Sequence, residues 1–294
     1  MTERLDGKPV AEALDAATRR AIAAGPGRPS LVSVHRGEET PFRFYLRRQG
    51  TAARALGIDF REEVVPASGG PTALKERLDR LDRDPAVSGV LVEHPLPPEL
   101  DFLGAVARLR PEKDVDGVSP DSLGRLVARR PVHVPAVALA AIAIAGHYRL
   151  PIEGQRVAVI GRSETVGLPL ALLLARREPG MNATVTIAHS ATADLGAALA
   201  GCRTIFSCAG VPGLLGRAVV PEGAAIVDVG LSSVPDPSRP SGVRAVGDAD
   251  PAALDGWAAA LTPVPGGVGP VTVAELMAST TDAWRRLGPR DGGP

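Results

Sequence analysis

Gly161-Arg162-Ser163-Glu164-Thr165-Val166-Gly167 stands directly after the apolar run RVAVI (156–160) and opens a stretch of helical periodicity. A strand that ends in small residues and restarts as a helix offers a pyrophosphate close backbone approach and unpaired N–H groups. The string departs from G-x-G-x-x-G, because Ser163 replaces the middle glycine and the last glycine comes one place later. The same residues would also serve as a tight turn in any α/β fold. The following strand, TVTIA, ends in His189-Ser190, where an NAD site usually carries an acidic residue for the ribose 2′-hydroxyl. Arg162 offers a forked guanidinium to an extra phosphate. Alone, His189 reads as a surface loop histidine; with Arg162 and Ser190 it favours NADP over NAD.

The remaining groups able to carry chemistry are few. Thirty-three basic and thirty-three acidic residues give a net charge of +0, which removes the generic attraction to phosphate backbones expected of a nucleic-acid binder. Only Lys8, Lys75 and Lys113 are lysine. Arginine does not release a proton near neutrality, so a reaction needing a titratable amine has three candidates. Cys202 and Cys208 make neither a disulfide framework nor a four-cysteine zinc site, and no metal is expected. Their apolar setting, with the charged MTERLDGKPV start, predicts a cytoplasmic protein. The longest apolar stretch, 134–145, contains Pro135 and is shorter than the roughly 20 residues of a membrane span. Asp114 and Asp116 in RPEKDVDGVSPDS read as loop or helix-cap carboxylates from their spacing alone.

These residues need a scaffold, and 294 residues with 45% hydrophobic content suit one or two α/β domains. Val10, Leu14, Ala17 and Ala21 predict a helix over 8–24; an apolar strand over 31–34 follows. A helix over 41–56 stops at Gly57, a strand spans 60–65, and Leu74, Leu78 and Leu81 mark a helix over 71–83. A third strand, 88–92, ends at Pro95-Leu96-Pro97-Pro98. The apolar stretch 134–146 is helical and suited to connecting two domains. From Arg156 strands and helices alternate again, the doubly wound nucleotide-binding pattern. A last helix over 271–287 aligns Val273, Leu276, Met277, Thr280, Trp284 and Leu287.

VIGRSETVGLP (159–169), NATVTIAHS (182–190), PEKDVDG (111–117), VEHPLP (92–97) and TPVPGGVGPVTVAELM (262–277) resemble the bifunctional methylenetetrahydrofolate dehydrogenase/methenyltetrahydrofolate cyclohydrolase family. The likeness runs from LDGKPVA (5–11) through the terminal helix. It implies a two-domain α/β fold around a cleft. A three-layer α/β catalytic domain over 1–135 would bind folate, completed by the C-terminal helix 270–289. A Rossmann-type domain over 136–269 would bind NADP. By the same resemblance Gly161, Arg162, Ser163, Val166, His189, Ser190, Gly210 and Leu231 contact the cofactor. Tyr45 stacks on the pterin and Asp116 holds its amidine edge. Glu93, Pro95, Pro265, Gly266 and Gly267 line the substrate site. Tyr45, Gln49, Glu93 and Asp116 form the catalytic group. The partner is a small folate, not nucleic acid or membrane, and the family is usually a homodimer.

The chain departs from that pattern in the folate half. The family carries Tyr-x-x-x-Lys on one helix turn, whereas Gln49 follows Tyr45 here. Phe42 replaces a serine, Glu93 a glutamine, and the P-C-T-P segment reads Pro135-Ala136-Val137-Ala138. Hydride transfer mainly needs two rings held together. Hydrolysis of the methenyl bridge needs proton movement, for which an amide has no useful pKa. An NADP-dependent dehydrogenase with weak or lost cyclohydrolase is therefore expected. His94 beside Glu93 offers a relocated base, although the pair reads more simply as a polar turn. The alternatives are a diverged relative acting on another small molecule and a non-catalytic NADP-binding protein.

Overall fold

The computed structural model describes residues 1–35, 43–65, 70–93, 96, 101–239 and 242–288. It divides into two units: Met1–Ala11 with Val137–Thr272, and Glu12–Ala136 with Val273–Pro294.

The first unit holds a six-stranded parallel sheet. Its strands are β1 (Glu3–Arg4), β5 (Arg156–Ile160), β6 (Thr184–Ala188), β7 (Thr204–Ser207), β8 (Ala225–Asp228) and β11 (Ala260–Leu261), in the order β1-β11-β8-β7-β5-β6. The chain winds from β5 outward to β6, then returns to place β7 on the other side of β5. That reversal opens a crevice at the strands' C-terminal ends, where α/β sheets bind ligands. The runs VAVI and TIFS are buried throughout, as strands covered on both faces must be. Glu3 and Arg4 pair with Ala260 and Leu261, so the start of the chain adds an edge strand to this sheet, and residues 1–11 group with this unit. Two residues are too few to show a strand period. An antiparallel hairpin, β9 (Ser232–Pro235) with β10 (Val243–Val246), was also invisible in the sequence; its strands are largely exposed and carry no core alternation.

The second unit is built on a three-stranded parallel sheet: β2 (Ser30–His35) lies between β3 (Asp59–Val64) and β4 (Gly89–Val92). Side chains alternate across a strand, so each face has its own cover. Val32, Val34, Val90 and Val92 pack with Leu74, Leu78 and Leu81 of α3 (Gly70–Arg83) and Val106 of α4 (Phe102–Val106). On the other face Leu31 and Leu91 join Ala53 and Leu56 of α2 (Arg43–Leu56) and Leu276 and Met277 of α10 (Val268–Leu287). Three layers result, and the C-terminal helix completes the unit. The period carries a consequence for the site. Ser33 and His35 share the face of Leu31, and Glu93 that of Leu91, so these polar groups arrive at the strands' C-terminal ends on the α2 side.

Lys113 is almost wholly buried, and its Nζ donates to the carbonyls of Leu81, Asp82 and Asp84 at 2.9, 2.6 and 2.6 Å. These lie at the C-terminal end of α3, where carbonyls lack helical partners and a cation is favoured. One of only three lysines is thus committed to holding a helix end. Lys113→Met should lower unfolding stability by roughly 2–4 kcal/mol, because buried acceptors lose their donor; the midpoint of urea denaturation reads this directly.

Candidate functional site

In the first unit the glycine turn is shaped by its backbone. Gly161 has φ +116°, and a side chain there would meet the Cys208 carbonyl at 2.6 Å. A side chain on Gly167 would run into the Gly161 carbonyl. The strand–turn–helix passage is therefore closed to any Cβ at both positions, leaving a bare backbone cradle ahead of α7 (Gly167–Leu174). Ser163 Oγ sits 3.4 Å from the Gly167 N–H. Arg162, Ser163 and Glu164 are exposed and Val166 half-buried. At the end of β6, His189 Nδ1 accepts the Ala191 N–H at 3.2 Å. Its neutral ring therefore carries the proton on Nε2, a donor suited to an anion. Ser190 is exposed.

Two carboxylates that sequence reasoning missed set the neighbouring loops. Asp248 accepts the Ser207 hydroxyl at 2.6 Å and the N–H groups of Ala209 and Val211 at 2.9 and 2.7 Å. Asp228 accepts the N–H groups of Gly230, Asp248 and Ala249 at 3.0, 3.1 and 2.8 Å. Burial pushes the Asp228 carboxyl up to about 6 against those hydrogen bonds. These contacts fix the loops bearing Gly210 (φ +66°) and Leu231, and Ser232 Oγ ties them by donating to the Gly210 carbonyl at 3.1 Å. Leu231 is 43% exposed, an apolar side chain left open beside polar loops. An aspartate ending β8 was a legible signal; Asp248, far along the chain, was not. The Pro265-Gly266-Gly267 turn belongs to this unit, with Val264–Pro265 cis and the Gly266 carbonyl accepting the Gly7 N–H at 2.9 Å.

The second unit brings Tyr45, Gln49, Glu93 and Asp116 into one electrostatic group. Tyr45 and Gln49 lie one turn apart on α2. Glu93 follows β4; its Oε1 accepts the Ser33 hydroxyl at 2.8 Å, and its carboxylate accepts the Gln49 amide. Burial raises the Glu93 carboxyl, the two hydrogen bonds pull it back, and His35 and Glu62 add smaller opposed effects. Glu93 is therefore no surface turn residue. Burial also raises the Tyr45 phenol, with Arg48 opposing and Glu93 assisting. Gln49 is 5% exposed, and its Oε1 has no hydrogen-bond partner among the described residues. Phe42, His94 and Pro95 lie outside the described residues.

Asp114 and Asp116 prove different. Asp114 accepts the Ser119 N–H at 2.8 Å and the Ser122 hydroxyl at 2.6 Å, and so braces Ser119, the N-cap of α5 (Pro120–Val127). The segment RPEKDVDGVSPDS thus contains the start of a helix. Asp116 accepts the Ala136 N–H at 3.3 Å. Burial pushes its carboxyl up to about 7, helped by Asp114 and Glu93 and resisted by that bond. Asp116 is thus poised between acid and carboxylate at neutral pH.

Residues 5–116 match the tetrahydrofolate dehydrogenase/cyclohydrolase catalytic domain, and residues 135–287 match the NAD(P)-binding domain of the same family. The bifunctional protein FolD 1 of Rhodococcus jostii is 39% identical over 286 residues, 96% of this chain and 93% of that protein. The Chloroflexus aurantiacus FolD is 39% identical over 289 residues, covering 97% and 98%. A Trypanosoma brucei methylenetetrahydrofolate dehydrogenase-cyclohydrolase, solved with NADP and an inhibitor, superposes with a TM-score of 0.90. It is 36% identical, with 98% and 99% of the two chains covered. The chain belongs to the tetrahydrofolate dehydrogenase/cyclohydrolase family.

The raised Asp116 carboxyl has a stability consequence. A group whose pKa is higher folded than unfolded stabilises most below its unfolded value and loses that contribution as pH rises through the folded one. For Asp116 the window runs from the ordinary 3.8 to about 7. Asp116→Asn keeps the acceptor for Ala136 and removes the charge. It should raise the unfolding free energy at pH 8 by roughly 1–3 kcal/mol relative to the parent, with the gain fading toward pH 4. Paired denaturation curves at the two pH values test this.

Proposed function

We propose that this chain is an NADP-dependent methylenetetrahydrofolate dehydrogenase whose methenyltetrahydrofolate cyclohydrolase reaction is weak or absent. The observation that carries the reading is position 49, a buried amide bonded to Glu93 one turn from Tyr45. The site residues otherwise follow the family resemblance, and the backbone cradle at Gly161 and Gly167 fits a pyrophosphate. Arg162, His189 and Ser190 would hold the 2′-phosphate, and Gly210 and Leu231 the nicotinamide side. NADP, when bound, supplies the ring that accepts hydride from the methylene carbon. Tyr45 would stack against the pterin, and Asp116 would accept from its amidine edge. Pro265, Gly266 and Gly267 would complete the substrate's surroundings. The same reading takes the chain as a homodimer, after the family, and as cytoplasmic, in keeping with its two free cysteines.

The two reactions ask different things of Gln49. Oxidation needs alignment and tolerance of a developing positive charge, which a neutral amide permits. Hydrolysis needs a group that takes a proton from water and returns one to the leaving nitrogen. Gln49 can do neither, and Arg48 cannot deprotonate near neutrality. Loss of such a group costs about 10²–10⁴ in rate. With methylenetetrahydrofolate and NADP⁺, NADPH should form while methenyltetrahydrofolate accumulates, both followed by absorbance. Gln49→Lys should restore formyl product. Comparable cyclohydrolase and dehydrogenase rates in the parent protein would refute the unequal loss, and cofactor binding without NADPH would refute the dehydrogenase.

The cofactor preference has its own test. Arg162→Ala should raise KM for NADP⁺ by about 10–100-fold, the worth of a charge-assisted phosphate contact, and leave KM for NAD⁺ nearly unchanged. Steady-state kinetics with both dinucleotides separate these effects, and equal losses would remove Arg162 from the 2′-phosphate.

A further inference from the structure

The Gln49 side chain is held in one orientation. Its amide nitrogen donates to Glu93, which leaves Oε1 buried, 5% exposed as a side chain, and without a donor among the described residues. Buried polar atoms left this way mark a place where a ligand or water completes the bonding. The neighbours present the same polarity. Both described side chains that donate to Glu93, Ser33 and Gln49, are neutral, so its charge is solvated without being cancelled by them. Asp116 is close enough for Glu93 to raise its cost of ionisation. A carboxylate, an unpartnered amide oxygen and a second carboxyl gather acceptors in one place. Its electrostatic complement is a planar ring carrying positive charge.

We propose that Glu93 and Gln49 act as a specificity-determining acceptor pair that selects the cationic form of the folate bridge over neutral forms. The inference rests on the dehydrogenase reading. Removing hydride from the methylene carbon leaves an N–C–N amidinium, so the pair favours the charge that forms as the reaction proceeds. A lysine at position 49 would place an ammonium against Glu93, cancel its charge and repel the product. The glutamine thus alters ligand preference as well as removing an amine.

The test compares equilibrium binding of methenyltetrahydrofolate, which carries the bridge cation, with that of tetrahydrofolate, which lacks it. The parent chain should bind the methenyl form more tightly. Glu93→Gln should weaken methenyl binding about tenfold and change tetrahydrofolate binding less than twofold, as expected for one partly screened charge pair. Gln49→Arg, which brings a cation without a titratable amine, should shift the preference in the same direction, and it serves if Glu93→Gln does not fold. Equal weakening of both ligands, or none, in either folded variant overturns the pair's role in charge selection. NADPH formation by the parent protein is read alongside. Absence of NADPH and of binding to either folate defeats the functional reading itself, whereas turnover without charge discrimination defeats only this inference.

Discussion

Carboxylates drawn out of water beside the C-terminal ends of parallel strands, and the hydrogen bonds that make this tolerable, organise both units. A buried ionised carboxylate is costly unless donors surround it. Asp228 and Asp248 meet the cost with backbone N–H groups and one hydroxyl, and thereby fix the loops that carry Gly210 and Leu231. Glu93 meets it with side chains, Ser33 and Gln49. Backbone donors make a rigid frame, whereas side-chain donors make a site whose character changes with each substitution.

That difference separates the two halves of the chain. In the cofactor half, Gly161 and Gly167 leave no room for a Cβ, and the carbonyls that forbid it belong to the fold itself. Substitution there would break the turn before it could change the chemistry. In the folate half, Ser33, Gln49 and Glu93 are coupled to one another. A carboxylate at 93 needs donors, and an amide at 49 supplies one without adding charge. Positions 49 and 93 therefore belong together physically: the amide at 49 stabilises the carboxylate at 93.

Much of this was legible in the sequence where a period or a steric need speaks. Alternation and helical spacing located most strands and helices, and the glycines announced the turn. The strand at Glu3–Arg4 was not legible, because two residues show no period and its partner lies at Ala260–Leu261. Asp114 and Asp116 looked alike in KDVDG; only the fold gives Asp114 the Ser119 and Ser122 donors and Asp116 the Ala136 N–H. Gln49 stood out in the sequence by its spacing from Tyr45. Its bond to Glu93 and its bare carbonyl oxygen depend on β4 ending across from α2, which local sequence does not encode.

The lysines complete the argument. Lys113 stands beside the carboxylates of the KDVDG loop, and by proximity in sequence it would be the natural substitute for a lost catalytic amine. The fold commits it elsewhere: its ammonium is withdrawn to three carbonyls at the end of α3. Moving it toward Asp116 would strip that helix end of its donor, so the exchange is opposed by the stability of the unit. Lys8 and Lys75 are on exposed positions of α1 (Lys8–Ala23) and α3. Tyr45, Glu93 and Asp116 themselves are a phenol and two carboxyls raised by burial. Such groups can hold and orient a ring and accept its charge, and a carboxyl that titrates near neutrality also suits proton transfer.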